Sequence, residues 1–173
     1  VAAPTVANLG FGSGLSDWTV VENGGTSSGK GSVSANASEV VLREGDSFLV
    51  SLQREVAIPN ESSVLEFTYS QLNFDTTDPS AINDAFEVAI LGSDGRSIVH
   101  AIDHDRDAYF NASEGLPVAL GSTVDQTGQT VRVLIPDNVS DDEARLAFRL
   151  VNNDTDTQTS VAISNVRLIS SAT

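Results

Sequence analysis

The chain has 173 residues, enough for one domain with a sizeable core. Its 24 Asp and Glu against nine Lys and Arg leave a formal charge of −15, a field that repels nucleic acid and anionic membrane surfaces. It has no cysteine, which excludes disulfide scaffolds and thiolate metal sites, and no apolar run approaches the roughly 20 residues that span a bilayer as a helix.

Period-two alternation recurs along the chain and predicts strands over Thr5–Leu9, Asp17–Glu22, Ser32–Ala35, Val40–Arg43, Ser47–Ile58 and Ser63–Leu72. The second half continues with Ala85–Leu91, Ser97–Ile102, Thr130–Ile135, Arg145–Val151 and Val161–Ile169. Turn sequences separate them, among them Asn23-Gly24-Gly25, Arg43-Glu44-Gly45-Asp46 and Asn152-Asn153-Asp154. Ser93-Asp94-Gly95-Arg96 predicts a hairpin, because Asp-Gly readily supplies the positive φ of a tight turn. In Val64–Tyr69, Leu65, Phe67 and Tyr69 share one face and Glu66 and Thr68 the other, as a strand with one packed face requires. No stretch carries a helical period; Ser140–Arg145 makes at most one turn, and 73–83 and 115–129 read as loops. About eleven strands without a helix predict an all-β fold, a two-sheet antiparallel sandwich of jelly-roll type, as a single domain over 1–173.

Catalytic constellations are thin. His100 and His104 are the only histidines, and no Gly-x-Ser-x-Gly elbow or cysteine nucleophile is present. The expectation is therefore not an enzyme. Calcium chemistry is better provided for, since the ion takes six to eight oxygen ligands of the kind Asp, Asn, Glu and turn carbonyls offer. Asp103-His104-Asp105-Arg106-Asp107, running on to Asn111 and Glu114, has the acid spacing of an EF-hand loop, but Ala108 stands where the turn needs glycine. Asp103, Asp105, Asp107 and Glu114 are candidate ligands there. Asp75, Asp78 and Asp84 are candidates in the acidic loop that enters the Ala85 strand, and Asn152–Asp156 is a third oxygen-rich turn. Each of these also reads as a solvated loop whose side chains cap its own turns. Five Asn-x-Ser/Thr sequons, at Asn36, Asn60, Asn111, Asn138 and Asn153, are weak pointers to a glycosylated surface.

Asn8-Leu9-Gly10-Phe11, with Gly14-Leu15-Ser16-Asp17-Trp18-Thr19-Val20, resembles the opening strands of carbohydrate-binding-like (galactose-binding-like) jelly rolls. Ala162-Ile163-Ser164-Asn165-Val166-Arg167-Leu168 resembles their closing strand, with Ser164 where an aspartate is usual. Arg43–Phe48, Asn83–Ala89 and Phe148–Asp154 are similar to modules of large bacterial surface and adhesin proteins. The resemblance implies a structural calcium at a sheet edge, with Glu44, Asp46 and Asp84 contributing. It also implies glycan binding, for which Tyr109 in the acidic loop is the exposed aromatic candidate and Trp18 the second.

The expectation is thus a secreted, extracellular, cell-surface module with Ca2+ as its ion. It acts as a structural or adhesive unit whose partners are neighbouring protein domains or subunits; the alternative is a calcium-stabilised carbohydrate-binding module whose partners are glycans. Neither reading involves nucleic acid or membrane insertion. The N-terminal Val1-Ala2-Ala3-Pro4 has no charged or long apolar segment, so any signal peptide is expected to have been removed already or never to have existed. Strands Thr5–Leu9 and Val161–Ile169 are expected to offer open edges to a partner.

Overall fold

The computed structural model describes residues 5–74, 83–99, 101–102, 106–153 and 156–171. Among these residues all regular structure is β. Thirteen strands form two antiparallel sheets, a sandwich of jelly-roll type. The first six are β1 (Thr5–Asn8), β2 (Thr19–Asn23), β3 (Lys30–Ala35), β4 (Glu39–Gly45), β5 (Leu49–Ile58) and β6 (Ser63–Asn73). The rest are β7 (Ala85–Leu91), β8 (Ala108–Ser113), β9 (Ala119–Leu120), β10 (Val124–Thr127), β11 (Thr130–Ile135), β12 (Asp141–Val151) and β13 (Ser160–Ser170). The seven-stranded sheet runs β10-β11-β6-β13-β4-β3, with β1 also on β13, and the six-stranded sheet runs β2-β5-β12-β7-β8-β9.

Alternation decides which side chains meet. Leu65, Phe67 and Tyr69 on β6 point into the sandwich, where Phe67 lies edge-on to Phe110 and Phe148 at 5.7 and 5.3 Å between ring centres. Tyr69, Phe86 and Phe110 form a second aromatic group. Fully burying each such ring contributes about 1.5–3 kcal/mol, and edge-on geometry adds roughly 0.5–1.5 kcal/mol. The outward residues of the same strands carry charge. Across the seven-stranded sheet the register sets Asp125, Arg132, Glu66, Arg167 and Asn8 in one row. Glu66, almost wholly buried, accepts from Arg132 Nε at 2.7 Å and from Arg167 Nε at 2.8 Å.

Several expectations are corrected. Val161–Ile169 is not an edge: β13 has β6 on one side and β4 and β1 on the other. Ser140–Arg145 begins strand β12, where Ala144 and Leu146 are wholly buried, so core packing overrides the polar local sequence. None of the described residues of the predicted strand Ser97–Ile102 lies in a strand. The Asp94-Gly95 turn forms as expected, with Gly95 at φ +79°, but its return arm pairs only around Ser97 and Ile98. β9 and β10 occupy what reads as a loop, and β8 lies inside the EF-hand-like segment.

Candidate functional site

Glu44 at the end of β4, Asp84 before β7, Glu114 after β8 and Thr159 before β13 are all buried, although each bears a polar side chain. They are brought to one end of the sandwich because the strand ends converge there. Thr159 links two of them: its backbone N–H donates to Glu44 Oε1 at 3.0 Å and its hydroxyl to Asp84 Oδ2 at 2.7 Å. The other Asp84 oxygen accepts from the Asn153 N–H at 2.9 Å, and the Glu114 N–H donates to the Asp84 carbonyl at 2.9 Å. Asn152 Nδ2 reaches the carbonyls of Gly45 and Asp156, and Asn153 Nδ2 that of Asn83. The Asn153 N–H and the Thr159 hydroxyl that donate to the Asp84 carboxylate are both neutral, and neither brings a counter-charge to this buried locus. Carboxylates, turn carbonyls and a threonine hydroxyl are the oxygen donors that calcium takes. Among the described residues no group of three or more His, Asp or Glu side chains lies close enough to share an ion. A cation here would therefore rest on the Glu44–Asp84 pair together with main-chain oxygens.

The remaining candidate ligands scatter. Asp46 is half-buried, and its two oxygens accept from the Thr26 hydroxyl and N–H, bonds that hold its carboxyl below the usual range. It fastens the turn between β2 and β3. Asp107 is paired with Arg149 at 2.6 Å, so a cation already faces it. The EF-hand-like wrapping is corrected: Ala108–Ser113 is extended as β8 and cannot curl Asp107, Asn111 and Glu114 around one centre. Asp75, Asp78, Asp103 and Asp105 lie outside the described residues, as do His100 and His104.

The aromatic candidates are internal. Tyr109 has no exposed surface, which corrects the expectation of an exposed ring; burial pushes its phenol well above its ordinary value. Trp18 packs between Phe11 and Phe148, with the Arg54 guanidinium 5.7 Å over its ring. Neither can stack on a ligand from these positions. Phe48 is the aromatic that sequence reading passed over: it is 58% exposed and lies against Gly24, where a Cβ would come within 2.7 Å of its ring. Alternation from Val50 and Leu52 would have turned it inward, but β5 begins only at Leu49. Of the sequon residues, Asn111 is buried and bonded to Glu87, so it offers no acceptor surface for a glycan.

The outward face of the six-stranded sheet is polar at both ends. One cleft of about 290 Å3 is lined by Glu55, Arg145, Glu143 and the Gly92–Gly95 turn. Another of about 350 Å3 is lined by Glu87, Arg106, Asn111, Asn153 and Leu116. Between them the register sets Gln53, Ala147 and Ala89 in one row and Ser51, Arg149, Glu87 and Asn111 in the next. Of these, Ser51, Ala89, Ala147 and Asn111 are buried, and Gln53, Glu87 and Arg149 are half-buried.

The sandwich class is shared with proteins of known structure. The chain superposes on a xylan-binding module, CBM15, with TM-score 0.50 at 14% identity, covering 98% of each chain. A cleaved adhesin domain of Lys-gingipain from Porphyromonas gingivalis gives TM-score 0.50 at 12% identity over 99% of this chain and 100% of that one. A bacteriophage CBA120 tailspike protein gives 0.50 at 14% identity, with 89% of this chain matching 19% of the tailspike chain. The fold is therefore a β-sandwich of the kind that these proteins share. No family profile matches the chain, and no curated protein matches it by sequence.

Proposed function

We propose that this domain is a non-catalytic adhesive module of an extracellular, cell-surface protein, stiffened by a calcium ion at the Glu44–Asp84 end of the sandwich. One observation carries the reading: two fully buried carboxylates from strand ends far apart in sequence meet on the same threonine. Calcium there ties the end of β4 to the entrances of β7 and β13, so it stabilises a junction that chain entropy opposes. Sites in extracellular modules hold calcium at about 0.1–1 mM. A hundredfold excess over a dissociation constant stabilises by about 2.7 kcal/mol, or about 5–11 °C for a chain of this size. The test is thermal melting in chelator and in excess calcium, for the native chain and for Asp84→Asn. Calcium should raise the native midpoint and leave that of the variant unmoved. Equal midpoints for the native chain with and without calcium would refute the proposal.

A second reading is favoured by the two polar clefts on the six-stranded sheet: an extended glycan lying across that face. The resemblance to a xylan-binding module and an adhesin domain supports it as a fold-level analogy. With Trp18 and Tyr109 internal, affinity would come from hydrogen bonds to Gln53, Glu87 and Arg145, without aromatic stacking from either ring. A glycan array run on the native chain and on Arg145→Ala tests it. A hit lost in the variant supports the groove, and an array without hits removes it.

A further inference from the structure

The structure separates the five Asn-x-Ser/Thr sequons from one another. Asn111 is buried with its Nδ2 on Glu87, and Asn153 turns its Nδ2 to the Asn83 carbonyl at 2.8 Å. Asn60 is exposed, but Glu61 and Ser62 after it are half-buried. Asn138 is exposed, but Val139 after it packs against the core. Asn36, Ala37 and Ser38 are all exposed, the one sequon in which this holds at every position among the described residues. They form the tip of the β3–β4 hairpin, and β3 is the outer strand of the seven-stranded sheet.

The two ends of the Asn36 side-chain amide are used differently. Oδ1 accepts from the Ser38 N–H at 2.8 Å, from the Ser38 hydroxyl at 3.0 Å and from the Glu39 N–H at 3.0 Å, which closes the turn. Nδ2 has no hydrogen-bond partner among the described residues. Closing a turn needs only an acceptor, which aspartate supplies as well as asparagine does. The nitrogen is left over.

We propose that Asn36 is the N-glycosylation acceptor of this domain, an inference that rests on its being extracellular. The co-substrate is an oligosaccharide carried on a lipid diphosphate. Nδ2 forms a bond to the anomeric carbon of the first sugar. The bond from that carbon to the diphosphate oxygen breaks with its electron pair, the lipid diphosphate leaves, and the displaced Nδ2 proton passes to a base of the transferase. The product amide keeps its oxygen, so the three bonds that close the turn survive the modification. A bulky, hydrated group at this tip also obstructs the pairing of another chain along β3.

The experiment is peptide mass mapping of the chain recovered from its source cells and from their medium. Trypsin cuts after Lys30 and Arg43, and residues 31–43 contain no other sequon. In the exported chain this peptide should be heavier by a whole oligosaccharide. Asn36→Asp keeps the acceptor oxygen of the turn and removes the nitrogen; it should lose the added mass completely with the melting temperature in place. Ser38→Ala should lose it as well, and Ser38→Thr should retain it. An exported chain whose 31–43 peptide has its plain mass would overturn the proposal while the extracellular reading stands. An added mass that persists in Asn36→Asp would overturn it too, because the sugar would then sit on a serine of the same peptide. A chain found only inside the cell would overturn both.

Discussion

Glu66→Gln tests whether the charged row on the seven-stranded sheet contributes to stability. The carboxylate is 5% exposed and takes both arginines, whose side chains are 42% and 45% exposed. Hydrogen bonds to charged groups contribute roughly 1.5–3 kcal/mol each when desolvated, whereas exposed ion pairs give only about 0.2–1 kcal/mol. The arginines are open to water and the glutamate is not, and glutamine keeps one acceptor oxygen, so the loss falls between these limits at about 2 kcal/mol. For a chain of this length that is about 4–8 °C in melting temperature. The assay is thermal denaturation of the native chain, Glu66→Gln, Arg132→Ala and the double variant. The two single losses should not add, leaving a coupling of about 0.5–1.5 kcal/mol that shrinks in high salt. A Glu66→Gln midpoint within about 1 °C of native would refute the reasoning, because it would mean that water serves the arginines as well as the carboxylate does.

Three further outcomes follow from the same packing. Asp141 accepts from the Ser93 N–H and hydroxyl and from the Glu143 N–H, and the backbone bond from Ser93 is the first cause of a carboxyl pKa below its ordinary 3.8. Its contribution is therefore complete above that value and is lost as pH falls through the lower folded value. Asp141→Asn should be less stable than native at neutral pH and converge with it in acid, as read by denaturation across pH. Gly31→Ala would set a Cβ 2.3 Å from Val50 Cγ2 and 2.5 Å from the Glu44 carbonyl oxygen. It should cost about 1–3 kcal/mol or more in denaturant and weaken the calcium binding proposed at the adjoining carboxylate. Phe67→Ala empties the centre of the aromatic group and should cost about 3–5 kcal/mol; a smaller loss in urea denaturation would mean that the neighbouring rings close the space.

The alternating strands were the readable part of the sequence. β6 is legible because Leu65, Phe67 and Tyr69 occur every second residue, and β13 because Val166 and Leu168 alternate with Asn165 and Arg167. β8 was hidden because its one-residue bulge against β7 and the acids before it break the period that marks a strand. β9 and β10 are too short to show a period at all. Among candidate site residues, Glu44 and Asp84 could be named from sequence, but Thr159 could not. Its role depends on β13 pairing with β4, between residues more than a hundred positions apart. Tyr109 looked exposed because acidic residues surround it in sequence, whereas its strand places it inside. Glu66 read correctly as an outward residue, yet its burial between two arginines follows from register alone.

Calorimetric titration of calcium into chain stripped of metal tests the central claim most directly. The account predicts saturable binding of an ion, lost in Asp84→Asn and in Glu44→Gln but retained in Asp46→Asn, whose carboxylate serves a turn. Absence of binding in the native chain, or binding that survives both Asp84→Asn and Glu44→Gln, would contradict it.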